Sequence, residues 1–140
     1  MEARGLGSPA GMDVTRTLSA GLAVSRILVG ANYLVRPVAA RSSWIGRAAK
    51  KPGAQVMVRS QGARDVALGL GALRALFGGR PGEARAWMAA HALADAADTG
   101  ATLVALDDLP KRRGRAVLAV AAASTAIGLL GAAAPQRARS

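Results

Sequence analysis

Residues 116–134 read AVLAVAAASTAIGLLGAAA, nineteen positions without a charge. As a helix rising about 1.5 Å per residue, this stretch is about 28 Å long, close to the roughly 30 Å hydrocarbon core of a bilayer. The basic run KRRGR at 111–115 stands directly before it, where lysine and arginine face lipid headgroups. A soluble helix would carry polar residues every few positions on one face. This one has none that are charged on any face, so it predicts a membrane span.

Working outward, the same pattern recurs. Residues 17–35, TLSAGLAVSRILVGANYLV, hold a single charge, Arg26. Pro37 biases Arg36 out of the helical region and closes the segment, with the Arg36 guanidinium suited to the interface. A secretory signal peptide is the competing reading, but Arg26 would interrupt its apolar region and the run is long for one. Residues 87–106, WMAAHALADAADTGATLVAL, contain His91, Asp95 and Asp98, with Trp87 expected as an interfacial anchor. Residues 61–78 form the weakest segment. Their uncharged core, VALGLGAL at 66–73, is eight residues and too short to span unaided. It would need Arg64 and Arg74 to snorkel to opposite interfaces.

The prediction is an all-α, four-helix transmembrane bundle over 16–135, with helices at about 17–35, 61–78, 87–106 and 116–134. Residues 1–15 read as a disordered tail rich in Gly, Pro and Ser, and 136–140 as a C-terminal tail. Between the first two helices lies a basic stretch, 36–60, with six lysines and arginines and no acid. A short interfacial helix is expected there over 39–50, with Trp44 at headgroup depth and Lys51-Pro52-Gly53 ending it.

Composition fits this placement. The chain has 140 residues, 34 of them alanine and 17 glycine, and only 3% aromatics. A water-soluble core of this size would be short of large side chains, whereas membrane helices pack well through small ones. Cysteine is absent, which excludes disulfides, iron–sulfur clusters, thiolate zinc sites and a cysteine nucleophile. The net charge of +11 raises nucleic acid as a partner. The basic residues flank apolar runs instead of lining one face, however, and stacking aromatics are nearly missing. Anionic lipid headgroups explain the same charges. The first and third loops carry ten lysines and arginines, against six for the termini and second loop. That bias places those loops inside and both termini outside an inner membrane.

The charges within the apolar segments are the candidate site. His91, Asp95 and Asp98 are spaced four and three apart, so they share one helix face, which Thr102 continues. A lone ionised carboxylate at mid-bilayer costs about 2.5–3.5 kcal/mol, so these must be paired, protonated or wet. Arg26 lies at the same relative depth in the first segment. The expectation is a buried network of Arg26, Asp95 and Asp98, with His91 as an outer member and the shallower Asp65 paired with Arg64 or Arg36. Either the network only pins helix orientation, or one carboxyl is left able to carry a proton. HxxxDxxD is a poor metal signature with no second histidine in the chain, and no metal or cofactor is expected. Residues at spacings of three and four mark small-residue packing faces: Ala23, Arg26 and Gly30; Gly62, Asp65, Gly69 and Ala72; Ser124, Gly128 and Gly131. No Walker A, HExxH or nucleophile elbow is present, and Gly69 and Gly71 have no preceding strand.

GARDVALGLGAL at 62–73, with HALADAADTGATL at 91–103, resembles a family of small actinobacterial integral membrane proteins. These have about four helices, an arginine in the first, a G-x-RD-x-x-LG element opening the second and an L-x-DxxD element in the third. The matching positions are Arg26, Gly62, Arg64, Asp65, Leu68, Gly69, Leu93, Asp95 and Asp98, within 17–134. The resemblance implies fold and membrane location but no activity. A looser similarity to DoxX-like proteins concerns architecture alone. The function expected is a non-catalytic accessory or scaffold subunit, its partner a second copy or another membrane protein. The alternatives are a small proton-coupled carrier built on the Arg/Asp network and a redox or quinone-linked subunit.

Overall fold

The computed structural model describes residues 9–108 and 111–133, and all their side chains except those of 9–13, 43–44 and 111–117. Among these residues the fold is all-helical. The helices are α1 (Pro9–Val35), α2 (Pro37–Ile45), α3 (Pro52–Phe77), α4 (Pro81–Val104) and α5 (Lys111–Ala133), with 3-10 turns at Gly46–Lys50 and Leu106–Asp108.

Proline sets most of the boundaries. α2, α3 and α4 each start with Pro at the first helical position. There the missing N–H costs nothing and φ is already helical. This corrects several expected limits. Residues 9–15 belong to α1 and not to a disordered tail, while 1–8 lie outside the described residues, as does the 136–140 tail. The second helix starts at Pro52, nine residues before the expected Gln61, because Pro52 opens a helix as well as closing the preceding turn. The third starts at Pro81, ahead of Trp87. The interfacial segment is α2 followed by a 3-10 turn rather than one helix over 39–50. Trp44 lies in α2, and its side chain is outside the described set. Gly46 (φ 62°) separates α2 from that turn, and Gly79 (φ 68°) turns α3 into α4; both φ values are cheap only for glycine.

The four long helices pack as antiparallel neighbours, α1 against α3 and α5, and α4 against α3 and α5. The α1–α3 seam is a contact of backbones. A Cβ on Gly62 would come 2.6 Å from the Gly30 carbonyl oxygen, one on Gly30 equally close to the Gly62 oxygen, and one on Gly69 2.5 Å from the Ala23 oxygen. Seven residues back in one helix match seven forward in the other, two turns of an antiparallel pair. Gly128 and Gly131 of α5 sit on Ala92 and Met88 of α4, with Ser19 of α1 also against Gly131. Gly71 makes the slot for the Trp87 indole, whose ring atoms lie 2.5 Å from where a Cβ would stand. Trp87 is therefore half-buried packing between α3 and α4, not the expected interfacial anchor.

The interior is small and partly charged. Buried apolar residues are mostly alanines, with Met88, Leu76 and Val58. Beside them are buried Ser19, Arg26, Arg41, Asp65, His91, Asp95 and Thr102. Large apolar side chains face outward instead, among them Leu28 (66% exposed), Leu93 (73%) and Val104 (91%). Water-soluble folds seldom bury charges while presenting so many large aliphatics. Among the described residues, one helix, Val14–Val35 of α1, is long and apolar enough to cross a membrane, and Leu118–Ala133 of α5 is a shorter apolar run. α3 and α4 carry charges along their length, Arg59, Arg64, Asp65 and Arg74 in one and Glu83, Arg85, Asp95 and Asp98 in the other.

Candidate functional site

The close seam between α1 and α3 brings Arg26 beside Asp65, one turn from the Gly30–Gly62 crossing. Arg26 Nη1 donates to Asp65 Oδ1 at 2.7 Å, and Nη2 donates to Asp95 Oδ1 across the interior. All three side chains are nearly sealed from solvent, at 8%, 8% and 11% exposure. Arg64 takes up Asp98 with two prongs, Nη2 to Oδ2 at 2.7 Å and Nη1 to Oδ1 at 3.2 Å, and reaches Asp65 Oδ1 at 3.2 Å. Charge-assisted, forked contacts of this kind are the strong ones. The sequence had made Arg64 an interfacial anchor. It is an ion-pair partner because it leaves α3 one position before Asp65 and turns along the face toward α4. Asp98 pairs with Arg64 and not with Arg26.

Three further residues extend the network. Gln61 Nε2 donates to Asp98 Oδ2 at 2.9 Å, and its Oε1 accepts from Arg41 Nη2. The Arg41 guanidinium lies 4.3 Å over the Tyr33 ring, within cation–π range. Burial draws the Arg41 pKa below its ordinary value, opposed by Tyr33, Asp98 and Asp65; a guanidinium remains charged all the same. Arg26, Arg41 and Arg64 thus balance Asp65, Asp95 and Asp98. Gln61, Arg41 and Tyr33 were missed from sequence. The available signal was Gln61, the first residue of the expected helix, four residues before Asp65 on one helix face. Arg36 is exposed at the start of α2.

On α4, the Thr99 and Thr102 hydroxyls donate to the Asp95 and Asp98 carbonyls, each at 2.7 Å, the back-bonding common in buried helices. His91 is fully buried one turn before Asp95. Its ring nitrogens make no well-formed hydrogen bond among the described residues, although the Leu68 backbone carbonyl approaches the imidazole; Ser19 Oγ, Arg26 Nε and Asp95 Oδ2 also have no partner among the described residues. Among the described residues, no three His, Asp or Glu side chains cluster as metal ligands.

A cavity of about 490 Å³ adjoins the network. Arg26, Asp65, Asp95, Asp98, Gln61 and Arg41 form its polar wall, and Leu22, Val29, Val120 and Ala121 face them. Chemically, the site can hold helices in register and solvate a polar guest. It presents no nucleophile–base pair. No protein-family profile, curated protein or solved structure matches the chain.

Proposed function

We propose that the chain is an inner-membrane protein in which α1, α3, α4 and α5 form a four-helix transmembrane bundle. It acts as a non-catalytic accessory or scaffold subunit. The observation that carries this reading is the inversion of the molecule, with the Arg26–Asp65–Asp95 cluster inside and Leu28, Leu93 and Val104 outside. In lipid, aliphatic side chains lose nothing by facing outward, and charges survive by pairing. The six basic residues of 36–60 place α2 at the cytoplasmic interface, with both termini outside.

A paired, charge-balanced network in a bundle of small residues suits a part that holds shape. Its exposed aliphatic faces are where a second copy or another membrane protein would dock. A carrier reading gains support from the cavity beside the network. Against it, Ala23, Ala72 and Met88 pack into an apolar cluster on the side away from α2, and a conduit needs two open ends.

The chain has no cysteine, so single cysteines report sidedness cleanly. Ser42→Cys on α2 and Glu83→Cys at the start of α4 are both exposed. In intact cells a membrane-impermeant maleimide is expected to label Glu83→Cys and spare Ser42→Cys, with the reverse in inverted vesicles. Labelling of both from one side rejects the topology, and release of the protein by alkaline carbonate rejects the integral placement.

A further inference from the structure

We propose that the cavity beside the ion network is a binding site for a small protonated amine. This goes beyond the scaffold reading and does not depend on it. At about 490 Å³ the space falls within the range of small-molecule sites. Its wall carries Asp65, Asp95 and Asp98 but only two guanidiniums, Arg26 and Arg41, because Arg64 lies behind Asp98 in a separate groove with Met57 and Val58. Arg64 still neutralises Asp98 from behind, so what the cavity wall offers a guest is carboxylate oxygen atoms within a balanced network.

The hydrogen-bonding capacity of this wall is mainly that of an acceptor. Both Arg26 Nη atoms are spent on Asp65 and Asp95, and its Nε is sealed from solvent. Arg41 donates to Gln61 and stacks on Tyr33. The carboxylates keep unused lone pairs, since each oxygen can accept more than one bond. Asp98, with 28% of its side chain exposed, is the most accessible of them. A guest here meets acceptors and few free donors, which suits an ammonium and disfavours an anion. A bare metal ion is disfavoured because the acids do not converge as a ligand set among the described residues. Opposite the acids, Leu22, Val29 and Val120 offer an apolar surface to a hydrocarbon body.

Tyr33, Arg41 and Thr102 line the end of the cavity nearest α2, and Val29 and Val120, 43% and 67% exposed, line its outer side.

Purified full-length protein in detergent can be titrated with cyclohexylammonium, cyclohexanol and cyclohexanecarboxylate, following thermal unfolding and calorimetric heat. Saturable stabilisation by the ammonium is expected, with cyclohexanol about tenfold weaker or worse for want of the charge-assisted hydrogen bond. Ala121→Phe, which fills the cavity from α5 without touching an ion pair, should abolish the response. Ser124→Leu, on the same wall, serves as a second block should the first unfold. Equal responses to all three compounds, a preference for the carboxylate, no saturation, or full binding in a folded blocked variant would each overturn the proposal.

Discussion

Replacing Gly62 by alanine tests the α1–α3 seam and the ion network together. The added Cβ would stand 2.6 Å from the Gly30 carbonyl oxygen and 2.9 Å from Tyr33 Cβ. One obstacle is backbone, so no side chain can swing away to make room. Ordinary contact begins near 3.4 Å, and the helices must part by about 0.8 Å there, the difference between those two distances. One turn away, Arg26 Nη1 to Asp65 Oδ1 is 2.7 Å. A comparable parting stretches it to about 3.5 Å, the outer limit of a useful hydrogen bond. Overpacking costs about 1–3 kcal/mol, and weakening a buried charged contact adds to that. Unfolding of the purified protein in mild detergent should show a melting point lower by several degrees, about 3–10 °C for a chain of this size. Gly100→Ala is the control. It sits inside α4 with nothing within 4 Å of its would-be Cβ, and alanine there should add up to about 1 kcal/mol through helix propensity. Equal melting points for the two variants would refute the close backbone approach and the reasoning built on it.

Other perturbations separate the interactions by burial. Arg26→Met strands Asp95 and leaves Asp65 with only its longer contact to Arg64, and should cost about 3–5 kcal/mol; adding Asp65→Asn and Asp95→Asn should recover most of the lost melting temperature. His91→Leu removes a buried imidazole with no well-formed hydrogen bond among the described residues, so loss of its loose approach to the Leu68 backbone should cost little stability, and a clear fall in melting temperature would show that contact to be a full hydrogen bond. Glu83→Ala breaks a pair with both side chains 51% exposed, and its effect should stay within about 0.5 kcal/mol and shrink further with salt.

Much of the fold was legible because helix type follows from apolar runs bounded by charge and proline. What misled was reading charge as interruption. Arg59 and Ser60 look like loop residues in isolation, yet both lie within α3 once Pro52 is seen as a helix start. The same habit sent Arg64 to the membrane surface, although at i−1 of Asp65 it could equally follow the polar face. Depth along each helix placed Arg26 and Asp95 opposite one another, since segments joined by short turns keep similar register. Which acid each arginine would take was not readable. That depends on the angular set of α3 against α1, fixed by the Gly30–Gly62 and Ala23–Gly69 contacts. Glycine is so common here that no single pair stood out in the sequence. Trp87 was misplaced for a related reason, since its slot exists only because Gly71 faces it from another helix.

The central claim is that the aliphatic exterior lies in lipid while the charges face one another. Nitroxide labels on Leu28→Cys and Leu93→Cys, in protein reconstituted into liposomes, address it most directly, with Glu83→Cys as the aqueous reference. Paramagnetic relaxation should show high collision with oxygen and almost none with a water-soluble nickel chelate at the two leucine sites, and the reverse at Glu83→Cys. Free access of the chelate to Leu28→Cys and Leu93→Cys would contradict the account.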